Sequence, residues 1–299
     1  MIENVPTALD WFGSKKRMAK YILPMIPTRH TCYVEAFGGS AAVLMAKSRS
    51  KVEVYNDLDN RLVNFFLVLQ DPIKRAAFYE KACLTPHSRE ILRICANTID
   101  EGTDIERAWK FFVINRQSYN AHMKRPYWKR NITDQTSGPD RFETALRAVP
   151  NMASRLLKVQ IECRPAIHVI RDFDRPTTFM YLDPPYVPES RKAGSYRFEM
   201  SENDHQELID VLTDCKSMVL LSGYENRLYR ALELVGWERK DFDVICSAIG
   251  RDENSGGLGQ GSLTKEEHQR TECLWLNPAL HKMLHNQGHQ MTVQEILGM

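Results

Sequence analysis

A chain of 299 residues, 43% hydrophobic and 26% charged, can bury a full core and predicts one large α/β domain carrying an insertion. It has no apolar run long enough to span a bilayer, no basic-then-apolar leader in residues 1–6, and no Cys-x-x-Cys among its seven cysteines. These features argue against a membrane protein, a disulfide scaffold and a zinc site, and predict a cytoplasmic chain with reduced thiols. Net charge is only +2, yet residues 105–175 hold 14 Lys and Arg against 7 Asp and Glu. That asymmetry suits a polyanionic partner, although a solvated basic surface has the same composition.

Residues 9–23 read as a loop entering a helix, with Met18, Tyr21 and Ile22 at helical spacing and Pro24 and Pro27 closing the segment. Gly13-Ser14-Lys15 lacks the first glycine and the spacing of a phosphate loop, so an ATPase is rejected. Thr31-Cys32-Tyr33-Val34-Glu35-Ala36-Phe37-Gly38-Gly39-Ser40 reads as a strand opening into a glycine turn, residues 41–46 as a helix, and residues 51–57 as a second strand with Asp57 at its end. In this βαβ unit Asp57 follows Gly39 by 18 residues, near the offset at which an acid meets a nucleotide ribose. The turn is not Gly-x-Gly-x-x-Gly, so no pyrophosphate cradle is indicated. A nucleoside ligand without phosphates fits better than NAD or FAD, and S-adenosylmethionine answers that description. An ordinary glycine turn beside an exposed aspartate is the plainer alternative.

From Arg61 to Arg164 helical patterns take over, at 62–69, 76–82, 90–96 and 106–114, and predict a mostly helical lobe inserted between strands. Residues 107–130 hold seven cations and no acid, interleaved with Trp109, Phe111, Phe112, Tyr119, Tyr127 and Trp128. Phe111 and Phe112, in an apolar helix, are expected in the core. The polar run Asn115-Arg116-Gln117-Ser118-Tyr119-Asn120 is expected to face a ligand. Residues 125–130 are expected to present cations and rings together, a combination that suits phosphates and bases.

Thr177-Thr178-Phe179-Met180-Tyr181-Leu182 reads as a buried parallel strand, stopped by Pro184 and Pro185. It delivers Asp183 and Tyr186 to the carboxyl edge of the sheet, where open α/β sheets place ligands. Beyond it, residues 187–198 read as a mobile lid and Ser201 with Asp204 as a capping box before a helix. Residues 218–222 read as a buried strand, 250–262 as a glycine-rich loop and 271–277 as a last strand. His281, His285 and His289 fall at helical spacing, but Gly288 is expected to interrupt that helix and no acid completes a set, so no metal site is expected.

Together, Trp11-Phe12-Gly13-Ser14-Lys15, Glu35-Ala36-Phe37-Gly38-Gly39, Tyr55-Asn56-Asp57 and Asp183-Pro184-Pro185-Tyr186 resemble the ordered motifs of the Dam-like, alpha-class DNA adenine N6-methyltransferases. Ser14 departs from a family glycine and Gly38 follows Phe37 directly; Asn115-Arg116-Gln117-Ser118-Tyr119-Asn120 is similar to a family element in the insertion, except that Ala121 stands where glycine is usual. The resemblance implies a Rossmann-like α/β methyltransferase sheet with helices on both faces and an inserted, mostly helical target-recognition domain. Residues 1–60 would be the first part of the catalytic domain, 61–164 the insertion and 165–299 the second part. The cofactor would be S-adenosylmethionine, with Trp11, Lys15, Glu35, Phe37, Gly38, Gly39, Asp57 and Asp183 around it and Asp57 at the ribose. Glu162-Cys163-Arg164 would approach its adenine.

In the mechanism so implied, Asp183 and the carbonyl of Pro184 accept the N6 protons of a flipped-out adenine, and Tyr186 stacks on the base. Arg116, Asn120, Lys124, Arg125 and Arg130 would contact double-stranded DNA, and a cognate restriction endonuclease is a further expected partner. Two rivals stay open on sequence alone. One is the same chemistry on RNA or a protein glutamine; the other is a DNA-binding module without turnover.

Overall fold

The computed structural model describes residues 5–11, 13–119, 123, 126–129, 137–187, 197–245 and 269–297. Its strands are β1 (Cys32–Glu35), β2 (Val52–Asn56), β3 (Val159–Glu162), β4 (Thr178–Leu182), β5 (Met218–Gly223), β6 (Glu238–Ile245) and β7 (Gln269–Leu276). They form one sheet in the order β3-β2-β1-β4-β5-β7-β6. The first five positions of that order are mutually parallel, and β7 then pairs antiparallel with both β5 and β6. Every residue of β1, β4 and β5 is buried, as a sheet covered on both faces requires.

Successive side chains along a strand point to opposite faces, and the core divides accordingly. Tyr33, Tyr55, Phe179, Tyr181, Leu220 and Leu274 enter one apolar cluster, with Phe65 and Phe66 of α3 (Asn60–Gln70) and Phe111 and Phe112 of α6 (Asp104–Gln117). Val34, Val54, Met180, Leu182, Leu221 and Trp275 enter the other, with Val169 and Ile170 of α8 (Ala166–Phe173) and Leu208 and Leu212 of α9 (Glu202–Thr213). Helices therefore cover both faces. The expected burial of Phe111 and Phe112 is complete, at 0% exposure for each.

The helices predicted between residues 61 and 117 form as α3, α4 (Pro72–Cys83), α5 (Arg89–Asn97) and α6. Their starts carry the expected chemistry. Asp59, Asp71 and Ser88 cap the first three, and Thr103 with Glu106 makes a capping box on α6. Ser201 and Asp204 cap α9 in the same way. Three elements depart from the sequence reading. β3 lies inside the segment read as mostly helical, where no strand was expected, and completes the sheet beside β2. β6, strongly charged and lacking an apolar run, is recognisable as a strand only by its pairing with β7. The last helix, α11 (Pro278–Leu297), runs through Gly288 instead of breaking there. No helix among the described residues is long and apolar enough to cross a membrane.

A buried ion cluster ties the lobe to the sheet. Arg155, on α7 (Gly138–Leu156), is 1% exposed and grips Glu53 of β2 through both terminal nitrogens, while one of them also donates to the Leu44 carbonyl at 2.9 Å. Lys47 reaches the same carboxylate at 2.5 Å. Breaking a buried pair from one side leaves the remaining charge poorly compensated. Arg155→Met is therefore predicted to cost about 3 kcal/mol, read as a lower midpoint in urea unfolding. A loss under about 1 kcal/mol would mean that Lys47 alone satisfies Glu53.

Candidate active site

The strand register brings three acids to one edge. Glu35 pairs with Tyr55 on one side and Tyr181 on the other, so Asp57 and Asp183 each emerge two residues beyond the row that Glu35 occupies. A cleft open to solvent lies at that edge. Trp11, Lys15, Glu35, Phe37, Gly38, Gly39, Asp57 and Asp183 all line it. The positions predicted to surround a cofactor thus fall on a single surface. Arg164 lines it too, whereas Cys163 beside it is exposed.

The glycine turn shapes the floor. Gly39 has a φ of 48°, and the Tyr55 hydroxyl donates to its carbonyl at 2.6 Å. A Cβ on Gly38 would lie 2.1 Å from Cε2 of the same tyrosine ring. The Gly39 N–H donates to Asp57 Oδ2 at 2.9 Å, and the Asp59 N–H to Asp57 Oδ1 at 2.8 Å. Asn56 donates to the Ala36 carbonyl at 2.8 Å and the Arg164 carbonyl at 3.0 Å, stitching the ends of β1, β2 and β3 together.

The cleft is electrostatically tense. Burial pushes the Glu35 carboxyl up to about 7, against the hydrogen bond it accepts from the Tyr33 hydroxyl at 2.5 Å. Burial likewise raises Asp57 to about 6, although the backbone N–H groups of Asp59, Gly39 and Leu58 oppose the shift. Asp183 is also raised, first by burial, with Lys15 and Ser222 pulling the other way.

Around Asp183 the structure assembles a cluster from four parts of the chain. Lys15 Nζ lies 3.0 Å from Asp183 Oδ1 and 3.7 Å from Glu272 Oε2, and it donates to the Tyr186 hydroxyl. That hydroxyl donates in turn to Glu272 Oε2 at 2.6 Å, and Ser222 Oγ donates to Asp183 Oδ1 at 2.7 Å. Tyr186 packs edge-on against Tyr224, with ring centroids 4.4 Å apart. Pro184 is buried, and its neighbour Pro185 lines the cleft. Sequence reasoning did not single out Ser222 or Glu272. Ser222 is the polar side chain of an otherwise apolar strand, whereas Glu272 follows three polar residues of β7 and carries no such local signal.

Much of the polar run expected to face a ligand turns inward. Asn115, Gln117 and Ser118 are buried. Asn115 accepts from the Asp10 N–H at 2.9 Å, and Gln117 accepts from the Ser88 N–H at 3.1 Å and donates to the Pro86 carbonyl at 3.0 Å. Arg116, expected at DNA, pairs with Asp10 at 2.7 Å and donates to the Arg141 carbonyl at 3.2 Å, with a side chain only 9% exposed. Its guanidinium is a strut between the lobe and the N-terminal segment. Tyr119 and Tyr127 do stay exposed, at the ends of a short antiparallel link through Ser118 and Trp128. Asn120, Lys124, Arg125 and Arg130 lie outside the described residues, as do most of the expected lid and the glycine-rich loop.

The family model for the D12 class N6 adenine-specific DNA methyltransferases matches residues 11–235, from the first wall of the cleft through β5. The chain belongs to that family. It is an adenine-specific DNA methyltransferase, and DNA and a methyl donor are its substrates. Among curated proteins it is similar to the Type II methyltransferase M1.LlaDCHI of Lactococcus lactis subsp. cremoris. The two are 23% identical over 289 residues, covering 88% of this chain and 94% of that protein.

Gly38→Ala forces the Tyr55 ring out of its place and with it the bond to Gly39. It is predicted to cost about 1–3 kcal/mol and to abolish methyl transfer, checked by thermal melting beside an activity assay. Wild-type melting and activity in this variant would mean that the turn adapts to a side chain.

Proposed function

We propose that the methyl donor is S-adenosylmethionine, held in the cleft, and that the methyl group goes to N6 of an adenine flipped out of duplex DNA. The observation that carries this reading is the charge of the cleft. The buried Glu35 and the half-buried Asp57 and Asp183, all with raised affinities for protons, suit a cationic ligand with ribose hydroxyls, and the same groups would repel a pyrophosphate. Bound there, S-adenosylmethionine would supply an electrophilic methyl on a sulfonium.

The chain's own residues divide the remaining work. Asp57, already fixed by two backbone N–H groups, would accept the ribose hydroxyls, and Glu35 would face the cationic part of the ligand, with Trp11, Phe37, Gly38 and Gly39 as walls. Among the described residues, both contacts of Asp183 fall on Oδ1, which leaves Oδ2 for one N6 proton of adenine. The Pro184 carbonyl would take the other. Held by two acceptors, the amine becomes pyramidal and directs its lone pair at the methyl group, so acceleration comes from positioning and electrostatics. A base inside the duplex cannot reach Asp183, hence the flip, with the Tyr186 ring stacking on the extruded base.

The 61–164 segment, β3 excepted, would be the target-recognition insertion. Its cations Lys124, Arg125 and Arg130, together with Asn120, would meet phosphates or base edges, and the exposed rings of Tyr119 and Tyr127 would flank them. The likeness to a Type II methyltransferase supports a place in a cytoplasmic restriction-modification pair with a cognate endonuclease.

Labelled methyl from S-adenosylmethionine is expected in N6-methyladenine at one short sequence of unmethylated duplex DNA. Asp183→Ala should lower that transfer at least about 100-fold while the donor still binds. Equal transfer by the variant would remove Asp183 from the mechanism. Binding should also release protons, because Glu35 at about 7 and Asp57 at about 6 must ionise to meet the donor. Affinity therefore rises as pH increases through 6 and 7 and levels off above. Calorimetry in two buffers of different ionisation enthalpy reads this directly, and a binding heat independent of buffer would place the donor away from these carboxyls.

A further inference from the structure

Glu272 lies on β7, opposite the parallel part of the sheet, and neither the glycine turn nor the Asp-Pro-Pro-Tyr segment accounts for it. It is 7% exposed. A carboxylate on an interior strand is costly to bury, and an apolar residue in its place would not be. Among the described residues its carboxylate meets two groups of the candidate site: the Tyr186 hydroxyl at 2.6 Å and the Lys15 ammonium at 3.7 Å.

We propose that Glu272 is a positioning residue for methyl transfer, fixing the Tyr186 ring through its hydroxyl and sharing the Lys15 ammonium with Asp183. This rests on the reading of Asp183 and Tyr186 given above and adds what holds them. A phenol bonded on one side only can swing about its ring axis. Tyr186 is bonded on two, receiving from Lys15 and donating to Glu272, so its ring plane is set before a base arrives. The ammonium meanwhile has two carboxylates to serve. Without Glu272 it would collapse onto Asp183, whose Oδ1 it already touches at 3.0 Å, and draw the carboxylate away from the incoming amine. The groups that bear on Asp183 are Lys15 from the N-terminal segment, Ser222 from β5, Glu272 from β7, and the phenols of Tyr181, Tyr186 and Tyr229.

The test is Glu272→Gln in the full chain, which keeps the shape and removes the charge, assayed for kcat, KM and pH dependence with S-adenosylmethionine and duplex DNA. A roughly tenfold fall in kcat is expected, with KM for the donor unchanged. The acid limb of kcat should move to lower pH by about one unit, because Asp183 then has the ammonium to itself. In a Tyr186→Phe background the same substitution should cost much less, since the hydroxyl link is already gone. An unmoved acid limb together with an equal loss in both backgrounds would overturn the proposal and leave Glu272 a packing residue; so would wild-type kinetics. If Glu272→Gln does not fold, Tyr186→Phe alone decides: it should lower kcat with KM unchanged, and unaltered kcat overturns the link. Asp183→Ala run in parallel separates the two levels, since activity surviving there refutes the underlying reading rather than the role of Glu272.

Discussion

One ammonium between two carboxylates holds the candidate site together. Lys15 comes from the loop before the first helix, Asp183 from the end of β4, and Glu272 from the antiparallel strand β7. Buried acids of this kind repel one another and lose hydration, so a cation among them is what lets the charged forms persist. Each of the three residues sits on a different part of the chain. The cluster can therefore assemble only when the N-terminal segment, the parallel strands and the terminal hairpin are all packed.

The same edge carries Glu35 and Asp57, whose raised proton affinities mean that folding leaves the cleft short of positive partners. Such a site is poised to gain from a cationic ligand, because binding supplies the missing partner and drives off the protons. The backbone is arranged for the same end. Gly38 lets the Tyr55 ring close beneath the turn, and the positive φ of Gly39 aims its N–H at Asp57.

The helical lobe is not a loosely tethered attachment. Phe65 stacks on Phe112, Phe78 meets both edge-on and Phe111 lies tilted beside Phe65, in the cluster that also holds Tyr33, Tyr55 and Tyr181 of the sheet. Asn115 and Arg116, at the end of α6, pin Asp10, one residue before Trp11 of the cleft. The segment that follows α6 thus starts from a fixed point on the wall of the cleft. Rigid packing of this sort fixes the start of that segment relative to the sheet edge that carries Asp183.

The local grammar of the chain was enough to find the βαβ unit, the glycine turn, the stop at Asp183-Pro184-Pro185-Tyr186 and most of the helices. Those signals are written in neighbouring residues: apolar runs, prolines and caps. The positions around the cleft were legible for the same reason, since each ends a strand or enters a turn. What the sequence left open were partnerships between distant residues. The polar run at 115–118 looks the same whether it meets DNA or the buried backbone of Asp10, Pro86 and Ser88, and packing decided for the backbone. β3 and β6 became strands because neighbours offered them hydrogen bonds, which no local pattern announces. Glu272 reached Tyr186 and Lys15 only because β7 turns back antiparallel beside β5. Local conformation follows from adjacent side chains, but the pairing of buried charges depends on which strands the tertiary fold makes neighbours.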